Sequence, residues 1–343
     1  MTEPANTREI FDEYGPLHLK NVDWTNPNER KSIAAALVEA VYILENDRQQ
    51  NRNGSEALAP IWWKFFDFEC IEKILDVSDN SIIGAIFENK DDNGPTPKYV
   101  IALRGTFLRP STVIQDLFTD MKLALNSLNQ SPRYQTSLAA VKSVITKVPP
   151  EKVWLAGHSL GAAVALQVGK SLARENCLIE AYLFNPPYVS IPIERVTNPS
   201  IRTAIRMVSS AITLGLFVIN RANNETKTDT FTVLRTWIPY LFVNKNDPIC
   251  CEYIGHFEHR GKMELLGLGA LESVASRNSL VSLAFESYVG VNANSDSEAL
   301  HLIPSANIVM NLNTEEDEFR IAHSIHQWWC PDTNWVTEKY RFM

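Results

Sequence analysis

The apolar positions of this chain fall into two patterns, short continuous runs and longer stretches with apolar residues every three or four positions. The short runs predict strands over 81–88, 99–103, 153–156, 179–184, 237–243 and 301–312. The longer spacing predicts helices over 28–47, 112–128, 133–148, 162–168, 255–288 and 315–329. Because strands and helical stretches alternate, we expect an α/β fold with a mostly parallel central sheet and helices on both faces.

Three regions depart from this alternation and indicate the domain organisation. Residues 1–80 are predicted to form a helical and aromatic extension packed on the core, with five aromatic residues between 62 and 68. Residues 81–330 are predicted to form the core, with a helical cap or lid inserted at about 190–236. The apolar run 207–219 in that insertion is too short to span a membrane, and a plain core helix is the alternative. Residues 331–343 are interpreted as a C-terminal tail.

Composition and charge narrow the classes of function. The 343 residues carry a net charge of -8, and the pI is about 5.5, which argues against a nucleic-acid-binding protein. No segment reaches the ~20 apolar residues of a membrane span, and residues 1–9 lack the apolar centre of a secretory signal. We therefore expect a cytoplasmic protein without a transmembrane segment. The five cysteines are scattered and form no C-x-x-C pair, so we expect neither a metal nor a cofactor.

One pentapeptide carries the clearest chemical signal. Gly157-His158-Ser159-Leu160-Gly161 follows an apolar run and precedes a helix-forming stretch. Strand, G-x-S-x-G and helix together are the context of a nucleophile elbow, whose sharp turn lifts the serine hydroxyl above the sheet. Glycines suit the flanks because the turn leaves no room for a Cβ. The first amides of the new helix favour a developing negative charge. Ser159 is therefore the candidate nucleophile.

A serine nucleophile needs a histidine to take its proton and a carboxylate to orient that histidine. In α/β-hydrolases these three follow in the order serine, acid, histidine. The predicted strand 237–243 is followed by the turn Asn244-Lys245-Asn246-Asp247-Pro248. Asp247 is therefore the candidate acid. The structural alternative for this residue is an Asx-type turn before proline.

The histidine is chosen by position from the seven in the chain. Four are set aside because they precede the core, adjoin the nucleophile or follow the acid too closely: His18, His158, His256 and His259. Of the others, His301 begins a predicted strand, whereas a triad histidine normally follows the last strand. His323 and His326 both meet that condition. We favour His323 because an acidic, loop-like stretch precedes it, and His326 and His301 stay open.

Stabilising a tetrahedral intermediate takes two donors aimed at its oxygen. One is the amide of Leu160, directly after the nucleophile. The other is expected from the loop after an early strand, where Arg104-Gly105-Thr106 follows the apolar run 99–103. Thr106 can offer both its amide and its hydroxyl.

These motifs resemble those of the class 3, or fungal-type, triacylglycerol lipases. In that family R-G-[ST] carries the oxyanion-hole hydroxyl, which matches Thr106, and the G-H-S-L-G serine matches Ser159. The acid of the family matches Asp247, and its H-x-hydrophobic-x-x-aromatic pattern matches the stretch that begins at His323. The resemblance implies an α/β-hydrolase fold with a serine–histidine–aspartate triad.

Other stretches are similar to a plant branch of α/β-hydrolases often labelled GDSL esterase/lipase-like, although this sequence contains no G-D-S-L motif. They span nearly the whole chain and comprise 15–19, 42–52, 184–187 and 301–307. The resemblance implies a serine carboxylester hydrolase acting on a lipid-like acyl ester, with peripheral lipid contact through the cap. Two alternatives stay open: an acyltransferase with the same triad, and a non-catalytic lipase-like protein that binds a ligand or acts in signalling.

Overall fold

The computed structural model describes residues 7–91, 94–107, 121, 124–125, 127–188, 233–265, 303–313, 319–331 and 333–342. Several predicted features lie mostly or wholly outside these residues. They are the helix over 112–128, the cap at about 190–236, the greater part of the helix over 255–288, and His301.

One sheet of eight strands forms the centre of the described residues. The strands are β1 (Phe68–Leu75), β2 (Ile82–Asn89), β3 (Tyr99–Leu103), β4 (Val153–His158), β5 (Glu180–Phe184), β6 (Tyr240–Asn244), β7 (Ala306–Asn311) and β8 (Trp335–Tyr340). Their order in the sheet is their order along the chain. Strands β3 to β7 are parallel, whereas β1 and β2 at one edge and β8 at the other are antiparallel to their neighbours. The mostly parallel sheet expected from the sequence is confirmed.

The six predicted strands correspond to β2 through β7, although β6 begins only at Tyr240 and β7 only at Ala306. Strands β1 and β8 were not predicted. Both lie at sheet edges with mostly exposed or half-exposed side chains, so neither has the apolar run of a buried strand. The register of β1 also shifts between Cys70 and Glu72, which interrupts its alternation. Parts of the predicted extension and of the predicted tail therefore belong to the central sheet.

Seven α-helices are found among the described residues: α1 (Phe11–Tyr14), α2 (Pro27–Gln49), α3 (Pro60–Lys64), α4 (Pro132–Ile145), α5 (Leu160–Arg174), α6 (Glu252–Leu265) and α7 (Phe319–Ala322). Short 3₁₀ helices lie at Thr7–Glu9, Leu17–Leu19, Gly54–Glu56, Leu128–Gln130, Pro150–Lys152, Leu234–Thr236 and Ile325–Trp329. The helices predicted over 28–47, 133–148 and 162–168 correspond to α2, α4 and α5.

The prediction of one continuous helix over 315–329 is confirmed at 319–322 and wrong from residue 323 onward. Helix α7 ends at Ala322, and the Ile325–Trp329 3₁₀ helix begins after Ser324. The backbone of Ser324 is extended, and its hydroxyl accepts a hydrogen bond from the amide of His326 at 3.3 Å. This side-chain bond competes with continued α-helix and gives the chain a new start. His323 consequently lies in the break between the two segments.

Both faces of the sheet are covered, as expected from the sequence. Neighbouring parallel strands taken in chain order, with right-handed crossovers, place every crossover helix on the same face. Helices α4, α5 and α6 accordingly share one apolar core, to which they contribute Val141, Leu166 and Phe257. The opposite face is covered by α2, α3 and the Ile325–Trp329 3₁₀ helix, which pack in a second core with Trp154 and other sheet residues.

Helix α2 is buried on nearly every side. Pro27 occupies its first turn, and the Asn26 side chain accepts a hydrogen bond from the amide of Asn28 at 3.0 Å, so the start is capped. Three consecutive alanines, 34–36, are fully buried and permit close packing against the sheet. The buried Glu45 accepts a hydrogen bond from the amide of Ile82 at 2.8 Å, where β2 begins. The N-terminal extension therefore supplies two of the three segments that cover this face of the sheet, α2 and α3.

The carboxyl ends of the parallel strands meet at one edge of the sheet, where α/β proteins place their ligand sites. The Arg104–Thr106 loop follows β3, Ser159 follows β4, Asn185 follows β5 and Asp247 follows β6. None of the helices in the described ranges is long and apolar enough to cross a membrane.

Candidate active site

Ser159 lies in the turn between β4 and α5, with φ of 54° and ψ of −124°. A residue with a side chain rarely adopts this backbone conformation, which costs on the order of 1–3 kcal/mol. The flanking glycines are needed sterically. A Cβ at Gly157 would lie 2.5 Å from the carbonyl oxygen of Gly161, and one at Gly161 would lie 2.4 Å from that of Leu103. The strand–turn–helix context and the reason for both glycines are confirmed.

The loop after β3 lies against Ser159. A Cβ added to Gly105 would come within 2.8 Å of the Ser159 Cβ, so glycine allows this close approach. The amide of Gly105 donates to the hydroxyl of Tyr42 at 2.8 Å and is therefore already engaged. Thr106, the next residue, is exposed at this edge. Leu160, on the other side of Ser159, begins α5 and is buried. Both residues expected to form the oxyanion hole thus adjoin Ser159 or its neighbouring loop.

Asp247 is fully buried in the turn after β6. Its Oδ1 accepts a hydrogen bond from the amide of Ile249 at 3.0 Å, which is the Asx-type turn bond considered as the structural alternative. Its Oδ2 is bonded separately, at 2.8 Å to Nδ1 of His323 and at 2.7 Å to Nδ2 of Asn185. The carboxylate therefore both forms the turn and holds other parts of the site.

A buried thiol also contacts the carboxylate. The Cys250 sulfur lies 3.2 Å from the Asp247 Oδ2. Burial, and then the charge of Asp247, raises the pKa of the Cys250 thiol well above its ordinary value. The thiol consequently stays protonated and donates to the carboxylate.

His323 is buried, with 2 % of its surface exposed. A carboxylate only accepts, so the 2.8 Å contact places the hydrogen on Nδ1 and leaves the Nε2 lone pair available. The ring stacks on Phe319, with centroids 5.3 Å apart and planes 16° from parallel. Its centroid also lies 4.9 Å from that of the His158 ring, the residue before Ser159. The structure thus brings His323 into contact with Asp247 and close to the turn that bears Ser159.

The other two histidine candidates are not found there. Nε2 of His326 lies 3.3 Å from Oε1 of Glu39 on α2, and its ring packs against Trp329. His301 lies outside the described residues. Of the candidates that the structure describes, His323 is the one that contacts Asp247.

A hydrogen-bonded chain that sequence reasoning missed joins the two sides of the site. Tyr42 accepts from the Gly105 amide, so its own hydrogen is available to Nδ1 of His158, 2.8 Å away. Nε2 of His158 then carries the ring hydrogen and donates to the His323 carbonyl at 2.8 Å. Burial raises the pKa of Tyr42, and burial, with a further contribution from His323, lowers the pKa of His158 well below its ordinary value. Both side chains therefore act as neutral hydrogen-bonding groups.

Among the described residues, no group of three or more His, Cys, Asp or Glu side chains is arranged to hold a metal ion.

Comparison with known proteins agrees with this geometry. The family described as Lipase (class 3) matches residues 100–193, which include the Arg104–Thr106 loop and the elbow. An Arabidopsis thaliana protein described as a GDSL esterase/lipase is 39% identical over 354 residues, covering 98% of this chain and 98% of its own. The chain belongs to the plant branch of the class 3 lipase-like α/β-hydrolases. It is therefore a carboxylic ester hydrolase of the lipase and esterase type.

Solved structures of ester hydrolases are also similar to this lipase-like chain. A lipase from Rhizopus microsporus var. chinensis matches 65% of this chain and 67% of its own, with 17% identity and a TM-score of 0.33. Brefeldin A esterase, a bacterial homologue of human hormone sensitive lipase, matches 69% of this chain and 75% of its own, with 18% identity and a TM-score of 0.31. Because these scores are low, the assignment of the α/β-hydrolase fold depends on the sheet, the elbow and the family match.

Proposed function

We propose that this hydrolase cleaves a lipid-like acyl ester through a Ser159–His323–Asp247 triad and an acyl-enzyme. The observation that carries the proposal is the buried 2.8 Å hydrogen bond between His323 Nδ1 and Asp247 Oδ2, beside the strained elbow that bears Ser159. It supplies the orienting carboxylate and leaves Nε2 as the base, which is the arrangement that activates a serine.

The chemistry follows from these positions. The Ser159 oxygen attacks the ester carbonyl carbon while Nε2 of His323 takes the hydroxyl proton. The resulting oxyanion accepts hydrogen bonds from the Leu160 amide and from Thr106. When the intermediate collapses, His323 returns the proton to the leaving alcohol. A water molecule, deprotonated by the same histidine, then attacks the acyl-enzyme and releases the acid and free Ser159.

The apolar part of the substrate is inferred from the sequence. The insertion at about 190–236 contains the apolar run 207–219, which suits a cap over an acyl chain and peripheral contact with a lipid surface. A cytoplasmic location is also part of the proposal. It is supported by the cysteines, all five of which lie in the described ranges and form no disulfide there.

Hydrolysis of p-nitrophenyl esters of increasing chain length tests the proposal. Ser159→Ala removes the nucleophile, and we expect kcat to fall by roughly 10³-fold or more. Ser55→Ala is the control, because Ser55 is an exposed serine in a 3₁₀ helix. Equal rates for Ser159→Ala and Ser55→Ala would overturn the assignment. Adding acceptor alcohols and measuring the ratio of new ester to acid distinguishes hydrolysis from acyl transfer.

A further inference from the structure

Asn185 occupies an unusual position at the end of β5, between the strand that leads to Ser159 and the strand that leads to Asp247. Its φ is 46°, in the left-handed region that few residues with side chains adopt. It is also fully buried. A strained backbone and a buried amide together require that the surroundings hold this side chain firmly.

Every hydrogen-bonding group of the Asn185 side chain has a partner. Nδ2 donates to the Asp247 Oδ2 at 2.7 Å and to the Ala322 carbonyl at 3.0 Å. Oδ1 accepts from the Trp328 indole N–H at 2.7 Å. Turning the amide by 180° would place its oxygen against a carboxylate and a carbonyl, and its N–H₂ against another N–H. The partners therefore fix which way the amide points.

The dipeptide Phe184-Asn185 contacts all three proposed triad segments. The Phe184 carbonyl accepts a hydrogen bond from the Ser159 amide at 3.0 Å. The Asn185 side chain holds Asp247 directly and holds the carbonyl of Ala322, the residue immediately before His323. The backbone N–H of Asn185 donates to the Phe242 carbonyl on β6 at 2.8 Å, which anchors the dipeptide to the strand that leads to Asp247.

We propose that Asn185 is a positioning residue for ester hydrolysis, acting through Asp247 and His323. The inference rests on the proposed function and deepens it. The side-chain amide of Asn185 donates to the Asp247 Oδ2, the same oxygen that accepts from His323, so it fixes the plane of the Asp247 carboxylate. It is also one of three donors to that oxygen, with His323 and the Cys250 thiol, and so shares its negative charge, which moderates how strongly Asp247 stabilises the imidazolium.

Removing this donor has a directional effect on pH dependence. With one donor fewer, the carboxylate stabilises the protonated form of His323 more strongly. The histidine then remains protonated to higher pH, and the acid limb of the pH–activity profile shifts to higher pH. The other titratable groups near the pair in the described residues are His158 from the elbow, Cys250 from the turn after β6, and His326, which faces Glu39. The substitutions below leave all of them in place.

The experiment compares pH profiles of kcat and kcat/KM for a p-nitrophenyl ester in wild type, Asn185→Gly and Asn185→Asp. Glycine accepts the left-handed backbone and removes the donor. Aspartate keeps the size and places a second carboxyl beside Asp247. We expect kcat to fall by roughly 10- to 100-fold in Asn185→Gly, with KM nearly unchanged, because a hydrogen bond to a buried charge is lost. The acid limb should shift to higher pH in both variants, and by more in Asn185→Asp than in Asn185→Gly.

Asn176→Gly is the matched control. Asn176 also has a left-handed φ, 58°, but lies exposed after α5, and its substitution should leave both profiles unchanged. A loss of activity with an unmoved acid limb in the folded variants would make Asn185 merely structural and overturn the inference. If Asn185→Gly fails to fold, the position of the acid limb in the pH profile of Asn185→Asp tests the inference by itself. If the wild type hydrolyses the ester and Ser159→Ala does not, the proposed function stands whichever way the Asn185 variants behave. An inactive wild type would overturn both the proposed function and the inference about Asn185.

Discussion

At the scale of single residues, the interior contains polar groups whose partners define what they can do. Lys31 on α2 is an instructive case away from the reacting atoms. It is 4 % exposed, and its Nζ lies 3.7 Å from the centre of the Trp335 ring on β8. Burial lowers the pKa of Lys31 to about 7, against a smaller opposing effect of Cys330. The ring face offers a cation–π contact that only partly replaces lost hydration.

We predict that Lys31→Met stabilises the protein, most strongly at and below pH 7. An unfolded lysine titrates near 10.4, so from about pH 7 to that value the unfolded chain binds more protons than the folded chain. Stability of the wild type therefore rises with pH across this window, and the full penalty of a buried charge applies below it. The gain from methionine should be roughly 1–4 kcal/mol at pH 6 and should shrink toward pH 10.

Urea unfolding at pH 6, 8 and 9.5 measures this difference. The control is Lys142→Met, because Lys142 lies at the surface in a 2.8 Å ion pair with Glu175, and its substitution should change stability little. A stability gain for Lys31→Met that is the same at all three pH values would show that the buried charge is not its origin.

At the scale of elements, α2 contributes to the site as well as to the core. The sequential order of the parallel strands puts the crossover helices on one face, and α2 covers the other. From there Tyr42 contacts both the loop after β3 and the elbow, through the Gly105 amide and His158. An element outside the family match over residues 100–193 thus holds the two loops that carry the proposed oxyanion donors.

Tyr42→Phe should therefore lower both stability and activity. The substitution leaves the Gly105 amide and Nδ1 of His158 without their partner, which costs about 1–3 kcal/mol in the free energy of unfolding. We expect kcat to fall by roughly tenfold or more, because the loop after β3 that bears Thr106 is no longer fixed by Tyr42. Tyr134→Phe is the control, since it also removes a bonded hydroxyl, 2.8 Å from Ser171, on α4. Equal effects of the two substitutions on kcat would contradict a role for α2 in the site.

At the scale of the whole molecule, the fold brings together groups separated by more than 160 residues in sequence, such as His158 and His323. Much of this follows from the sequence alone. The sharp turn at Ser159, the strands β2 to β7 and the position of Asp247 after β6 could be predicted, because glycine spacing, buried apolar runs and a turn after a strand are local signals. The pairing of Asp247 with His323 could be expected only from chain order.

The remaining features depend on contacts that no local pattern records. Strands β1 and β8 are exposed edge strands, so they lack the apolar run that indicates a buried strand. Tyr42 looks like one more residue of an amphipathic helix, and Asn185 like a strand end before two prolines. Their roles appear only when the hydrogen-bond partners from distant segments are known.

The central claim is that His323, held by Asp247, activates Ser159. The most direct measurement is the rate and site of labelling by a fluorophosphonate probe, followed by mass spectrometry of the modified peptide. We predict that the wild type is labelled on Ser159, that His323→Ala slows labelling by roughly 10³-fold or more, and that His326→Ala leaves it nearly unchanged. Labelling elsewhere, no labelling of the wild type, or equal rates for His323→Ala and His326→Ala would contradict the account.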